Sequence, residues 1–110
     1  MAGKFELKQS KNDKFYFALL ASNGQTILSS EMYEAKASAS NGIESVKKNA
    51  ADDKRYERLV GKDGSPYFNL KALNGQVIGS SQMYASAASR DAGIASCQAN
   101  GPTAVVVDLS

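Results

Sequence analysis

The 110-residue sequence contains no histidine, no tryptophan and a single cysteine. Without histidine, the chain lacks the usual general acid or base, the base of a nucleophilic triad and the commonest transition-metal ligand. Its one thiol, Cys97, can form no internal disulfide and cannot hold a zinc ion or an iron–sulfur cluster alone. These absences predict a protein that is not an enzyme, with no catalytic residue, no metal site and no cofactor.

Long apolar runs are also missing. The longest run covers residues 15–21, whereas a membrane-spanning helix needs roughly 18 apolar residues. The first eight residues mix charged with apolar side chains and lack the apolar stretch of a signal peptide. We therefore expect a cytoplasmic protein with no membrane partner.

Neither sign of charge dominates: 13 basic and 11 acidic residues give a net charge of +2. A dedicated nucleic-acid-binding protein usually carries a concentrated basic face, so we expect no tight binding to nucleic acid. The length suits one domain, and a hydrophobic content of 43% is enough for a core.

What the sequence does contain is an internal repeat with a period of 51 residues. Residues 16–50 and 67–101 align without a gap and are identical at 18 of 35 positions. The identical positions include the triplet Asn-Gly-Gln and the pairs Ser-Ser, Met-Tyr and Gly-Ile. A fixed period of this length indicates a duplicated structural unit.

Each unit is predicted to contain three strands followed by a helix. Asn23-Gly24 and Asn74-Gly75 follow alternating apolar runs, which predicts type I′ hairpin turns. Matched apolar residues an odd number apart on the third strand, Ile27 and Met32 in the first copy, predict a β-bulge near the Ser-Ser pairs. Apolar and small residues between 33 and 49 have helical spacing.

The predicted fold is α+β. The period and the turn signals predict seven strands and two helices, with the middle copy of the first strand belonging to both units. We interpret 103–109 as a third copy of the first strand, because the period superimposes it on the earlier copies. One compact domain over 1–110 is expected, made of repeats at about 3–53 and 54–104 and closed by this seventh strand.

The motif Asn-Gly-Gln-x-Ile-x-Ser-Ser-x-Met-Tyr, followed by a helix with Gly-Ile-x-Ser, occurs twice. This arrangement resembles the YegP-like family of small bacterial proteins of unknown function. The resemblance implies β-β-β-α-β units that occur either as homodimers of single units or as tandem copies. In the tandem form it implies an α+β fold in which the two units share one antiparallel sheet, exchange their terminal strands and pack two helices on the sheet. It implies no activity.

Hydroxyl groups that match between the copies are the candidates for ligand contact. They could bind a ligand where the sheet meets the helix, or instead pair backbone groups at a bulge and pack a ring at the start of the helix. The matched Asn-Gly-Gln triplets are explained by the turns alone. The candidate residues are Ser29, Ser30, Tyr33, Ser80, Ser81 and Tyr84.

Three residues on the helices have a structural explanation. Cys97 takes the place of Val46 on the apolar stripe, which predicts a core position. Gly42 and Gly93 lie inside the helical patterns, and a close approach of helix to sheet would explain them.

Charge is distributed unevenly, with ten of the 13 basic and eight of the 11 acidic residues in 1–60. The second helix has lost its charged face, which makes it a possible contact surface for a protein partner. We therefore predict a monomeric, non-enzymatic interaction or ligand-binding module built as an intramolecular pseudo-dimer. The alternative is a weak single-stranded nucleic-acid binder that uses the sheet face, on which Tyr16 and Tyr67 point outward.

Overall fold

The computed structural model describes residues 3–110, which form seven strands and two α-helices. The first repeat contains β1 (Lys4–Gln9), β2 (Phe15–Leu20), β3 (Thr26–Ser30) and α1 (Lys36–Asn49). The second contains β4 (Tyr56–Val60), β5 (Pro66–Lys71), β6 (Val77–Ser80) and α2 (Ala87–Asn100), and the chain ends with β7 (Val105–Asp108). No helix in this part of the chain is long and apolar enough to cross a bilayer.

All seven strands lie in one sheet with the order β4-β5-β6-β3-β2-β1-β7. The two repeats join at its centre, where β3 pairs antiparallel with β6 and Ser29 lies opposite Ser80. Residues of both helices and of one sheet face form a single apolar core, so the molecule has a sheet layer and a helix layer. The predicted α+β fold with two repeats is confirmed.

The seventh strand lies beside β1 but runs parallel to it, with Lys4 opposite Val105 and Leu7 opposite Asp108. Its predicted partner in the first repeat is therefore correct, whereas the prediction of an antiparallel sheet is wrong at this edge. A true third copy of the first strand would lie next to β2, but β1 already holds that place. The strand that follows α2 is added to the outer side of β1 instead.

The exchange of terminal strands is confirmed by the same pairings. The strand that follows α1 is β4, and it pairs with β5 of the second repeat. The strand that follows α2 returns to the first repeat. At this closure the backbone N–H of Gly3 donates to the Asn100 side-chain oxygen over 2.9 Å, and Lys36 forms an ion pair with Asp108.

The turns that follow β2 and β5 differ from the predicted type I′. The N–H of Ala21 donates to the carbonyl of Gln25 and the N–H of Gly24 donates to the carbonyl of Ala21. Only Gly24 has a positive φ, of 86°, whereas Asn23 does not. The loop is therefore a three-residue turn ending in a left-handed glycine, and the Asn23 side-chain oxygen accepts from the N–H of Gln25 over 3.0 Å.

The bulge on the third strand is present but lies elsewhere than predicted. Leu19 is opposite Leu28 and Leu20 is opposite Thr26, so Ile27 is the extra residue. Both Ile27 and Leu28 are consequently buried, although they are neighbours in the chain. The predicted position at the Ser-Ser pairs is wrong because Met32, assumed to be a core residue, is 52% exposed.

The side chain of Cys97 is fully buried, which confirms its predicted core position. Burial raises the pKa of this thiol to about 12, so very little reactive thiolate exists at neutral pH. We expect a thiol reagent to label Cys97 slowly in the folded protein and rapidly in denaturant, followed by mass spectrometry. Fast labelling of the folded protein at neutral pH would contradict the core assignment.

Candidate functional site

The second serine of each Ser-Ser pair bonds to the backbone. The hydroxyl of Ser30 accepts from the N–H of Phe17 over 2.9 Å and donates to the carbonyl of Glu31 over 2.8 Å. Ser81 makes the same two bonds in the second repeat, to Phe68 and the carbonyl of Gln82. These contacts hold the chain where it leaves the sheet, and they favour the structural interpretation of both serines.

The first serine of each pair lies at the junction of the repeats, where Ser29 and Ser80 face each other on β3 and β6. Ser29 is opposite Ala18, which alternates with the core residues of β2, so it faces away from the helices. The Ser80 hydroxyl donates to the side-chain oxygen of Asn69 over 2.6 Å. The structure therefore separates these two serines from the candidate tyrosines.

Tyr33 and Tyr84 lie between the last strand and the helix of each repeat. The ring of Tyr33 stacks on Phe17 and that of Tyr84 on Phe68, each with centroids 6.3 Å apart and planes 12° from parallel. Burial raises the pKa of Tyr33, and the carboxylate of Glu31 raises it further. The phenol is therefore protonated at neutral pH.

The glycine in each helix makes room for the tyrosine. A Cβ at Gly42 would lie 2.6 Å from the Tyr33 hydroxyl oxygen and 2.8 Å from a ring carbon of Phe17. A Cβ at Gly93 would clash with the hydroxyl of Tyr84. The close packing expected at these glycines is present, and the atom nearest to the position of each added Cβ is the tyrosine hydroxyl oxygen.

Each tyrosine lines a cleft to which both repeats contribute. Cleft 1 has a volume of about 260 Å³ and lies between α1 and the β5–β6 turn. Cleft 2 has a volume of about 280 Å³ and lies between α2 and the β2–β3 turn. Cleft 1 is lined by Glu31, Tyr33, Ser38, Asn41, Gly42, Ser45, Ala72, Asn74, Gln76, Val77 and Ile78. Cleft 2 is lined by Ala21, Asn23, Gln25, Ile27, Gln82, Tyr84, Ser89, Ala92, Gly93 and Ser96.

The two clefts are related by the sequence repeat. Shifting each of the ten positions that line cleft 2 by 51 residues gives a position that lines cleft 1, and eight of these ten pairs are identical. The antiparallel pairing of β3 with β6 causes this relation, because it places the turn of each repeat next to the helix of the other. Each cleft is therefore lined by residues of both repeats, and the residues that line one cleft match those that line the other.

Sequence reasoning missed most of these residues. The Asn23 and Asn74 side-chain oxygens do bond within their turns, but Gln25 and Gln76 contribute only backbone atoms to them and have exposed side chains. An exposed glutamine kept in both copies was the available signal. The turn accounts for the Asn and Gly beside it but not for the glutamine side chain.

Apart from Glu31 in cleft 1, the side chains that line the two clefts are neutral, and many of them can form hydrogen bonds. In cleft 1 the Gln76 amide, the Tyr33 hydroxyl and the Ser38 hydroxyl surround an apolar wall that includes Ala72 and Ile78. Such a set can orient a small polar molecule. Among residues 3–110 there is no group of three or more His, Cys, Asp or Glu residues that could hold a metal ion.

The opposite face of the sheet carries Tyr16 and Tyr67, both half-buried. Its lysines are paired with glutamates: Glu6 lies 3.5 Å from Lys4 and 3.3 Å from Lys8, and a further lysine on β5 pairs with a glutamate on β4 over 3.2 Å. These pairs reduce the positive potential of this face.

Comparisons with known proteins agree with the repeat. The model of a family described as a domain of unknown function, DUF1508, matches residues 10–57 and 62–108. The UPF0339 protein of Acinetobacter baylyi is 60% identical over 110 residues, which are 100% of this chain and 99% of the relative. The UPF0339 protein YegP of Escherichia coli K12 is 55% identical over 108 residues, 98% of each protein.

Two solved structures have the same fold. The solution NMR structure of yegP from Escherichia coli, a protein of unknown function, superposes with a TM-score of 0.94 at 54% identity and covers 99% of this chain and 94% of that one. The solution NMR structure of a UPF0339 protein from Shewanella oneidensis gives a TM-score of 0.93 at 53% identity, with coverage of 99% and 92%.

Proposed function

Because the chain belongs to the YegP-like family of tandem DUF1508 proteins, whose relatives above are named for no activity, we propose a function from its geometry. The protein is a non-enzymatic binding module that holds one small polar ligand in cleft 1 and another in cleft 2. The observation that supports this proposal is that the two clefts are equivalent: eight of the ten residue pairs that line them, 51 positions apart, are identical.

A comparison with other exposed positions strengthens this argument. On the outer surface of the helices, Glu44 has become Ala95 and Lys48 has become Ala99. These two exposed positions have therefore diverged between the copies. The exposed side chains of Gln25 and Gln76 have not diverged, and a shared ligand contact accounts for this.

The size and chemistry of the clefts limit the ligand. Each volume lies just below the roughly 300–1,000 Å³ of typical drug-sized sites, which favours a ligand of a few heavy atoms. Amide and hydroxyl groups line both clefts, so the ligand carries hydrogen-bond donors and acceptors of its own.

Binding without catalysis follows from the same residues. The protonated Tyr33 and Tyr84 can donate hydrogen bonds, but their raised pKa makes them poor bases at neutral pH. The only thiol is buried and protonated. A hydroxyl nucleophile would need an adjacent base, and the chain contains no histidine to supply one.

We expect small polyols, primary amides and alkyl amines, titrated one at a time, to shift backbone amide NMR signals at both clefts. Tyr33→Phe removes only a hydroxyl and should weaken binding at cleft 1 by about two- to tenfold, with cleft 2 unchanged. Tyr84→Phe should do the reverse. Tyr16→Phe, on the opposite sheet face, is the matched control.

Shifts that never localise to the clefts at millimolar probe would contradict the proposal. So would Tyr33→Phe and Tyr84→Phe variants that lose stability but bind the probes unchanged, since their hydroxyls would then serve the fold alone.

Single-stranded nucleic-acid binding by the opposite sheet face is the second candidate, favoured by the outward Tyr16 and Tyr67. We expect no submicromolar binding near physiological salt, because the lysines of this face are paired and few phosphate contacts are available. The measurement is fluorescence anisotropy with labelled single-stranded oligonucleotides. A submicromolar dissociation constant with a steep salt dependence would favour this candidate instead.

The predicted contact surface on α2 and the cytoplasmic location stay predictions. Outside cleft 2, α2 exposes the small apolar residues Ala88, Ala95 and Ala99, which suits a protein contact.

A further inference from the structure

Cleft 1 and cleft 2 differ at two of their ten matched positions. Glu31 and Asn41 in cleft 1 correspond to Gln82 and Ala92 in cleft 2. Cleft 1 therefore has a carboxylate where cleft 2 has an amide, and an amide where cleft 2 has a methyl group. Cleft 2 is lined by no Asp or Glu within residues 3–110.

Hydrogen bonds of the preceding residue, Ser30, hold the backbone of Glu31 in place. The Ser30 hydroxyl donates to the Glu31 carbonyl over 2.8 Å and accepts from the N–H of Phe17, so the backbone at Glu31 is tied to β2. Two residues later, Tyr33 exchanges both backbone hydrogen bonds with Phe15, at 2.8 and 2.7 Å. The backbone of Glu31 is thus anchored on both sides, and Glu31 and Tyr33 both line cleft 1.

Lys14, which directly precedes β2, and Lys36, the first residue of α1, pair with carboxylates other than Glu31. Lys14 lies 3.0 Å from the carboxylate of Glu34, and Lys36 pairs with Asp108. Within the described chain, no lysine or arginine lines cleft 1. The cleft thus combines one negative charge with several neutral acceptors and no cation of its own.

This difference gives the two clefts different specificities. Resting on the proposed function, we infer that Glu31 makes cleft 1 selective for a ligand with an ammonium or guanidinium group, whereas cleft 2 holds a neutral ligand. A cation in cleft 1 can donate a charge-assisted hydrogen bond to the Glu31 carboxylate and another hydrogen bond to the Asn41 side-chain oxygen. Gln82 at the matched position offers only a neutral amide, so cleft 2 gains nothing from a positive charge.

A matched pair of probes tests the inference on the full chain: γ-aminobutyramide, an ammonium at neutral pH, and γ-hydroxybutyramide, its neutral counterpart of the same length. Amide NMR titrations report the affinity at each cleft separately. We expect γ-aminobutyramide to bind cleft 1 about two- to fivefold more tightly than the neutral probe, because exposed ion pairs are weak. Added salt should reduce this preference, and cleft 2 should show none.

Two reciprocal variants identify the residue responsible. Glu31→Gln should abolish the charge preference of cleft 1 without weakening the neutral probe, and Gln82→Glu should create a preference in cleft 2. Both positions are exposed, so neither change should affect folding.

The outcomes distinguish the inference from the proposed function. Equal binding of both probes at cleft 1, or a preference that survives Glu31→Gln, overturns the inference and leaves the proposed function standing. Failure of both probes and of the wider probe set to shift either cleft overturns both.

Discussion

Replacing Phe17 or Phe68 by alanine should lower the free energy of unfolding by about 3–5 kcal/mol, the usual cost of removing a buried aromatic side chain. Both rings are fully buried. Phe17 meets Phe5 edge-on with centroids 6.0 Å apart and also stacks on Tyr33. Phe68 meets Tyr56 edge-on at 5.6 Å and stacks on Tyr84.

Both variants should unfold in a single transition. The β3–β6 pairing and the continuous apolar core join the repeats, so neither half has a separate set of buried residues. Urea unfolding followed by circular dichroism and by tyrosine fluorescence tests this, and the two signals should coincide. Leu73→Ala, at a side chain that is 81% exposed, is the control and should change the free energy of unfolding by less than about 0.5 kcal/mol.

A Phe17→Ala variant that unfolds in two steps, with the second repeat still folded after the first step, would contradict the prediction of one domain over 1–110. A loss below about 1 kcal/mol in either variant would show that the core does not depend on these rings.

Deleting residues 103–110 should cost about 2–4 kcal/mol, a large part of the roughly 5–15 kcal/mol that stabilises a typical domain. The deletion removes the parallel hydrogen bonds between β7 and β1 and the buried side chain of Ala104. The valines of β7 contribute little to the apolar core, because Val105 is 62% and Val106 is 45% exposed. Phe5 and Leu7, the buried residues of β1 that lie opposite Val106 and Asp108, lose their neighbouring strand.

The truncated protein should also associate, since removal of β7 leaves the six-residue strand β1 as an unprotected sheet edge. Thermal unfolding and size-exclusion chromatography measure the two effects. A truncated chain that melts with the full-length protein and stays monomeric would show that β7 does not close the fold.

Asp108→Asn is the control that keeps the strand and removes its charge. Hydrogen bonding to the Lys36 ammonium, with help from Ser110, lowers the pKa of Asp108 to about 2. A lowered folded-state pKa stabilises the protein above the ordinary carboxyl pKa, and this contribution is lost as the pH falls toward 2. Any difference between Asp108→Asn and the parent chain should therefore be confined to higher pH and be small, because both side chains are exposed.

Local sequence pattern is enough to identify the repeat and the buried face of each strand and helix. The period of 51 residues indicates two copies of one unit. Apolar residues alternate on the second strand of each copy, at Phe17 and Leu19 and at Phe68 and Leu70, and this alternation matches the buried face. The substitution of Val46 by Cys97 placed that thiol in the core as well. These predictions succeeded because alternation and helical spacing specify which side of an element is buried, whatever lies against it.

Strand direction, strand register and the contacts between the repeats depend instead on long-range pairing in the folded protein. The parallel direction of β7 follows from β1 already holding the place beside β2, and no residue of 103–110 encodes that competition. The bulge at Ile27 and the turn at Asn23-Gly24 depend on the register between strands, which turn residues alone do not specify. The clefts depend on it most, because Tyr33 and Gln76 lie in different repeats and meet only when β3 pairs with β6.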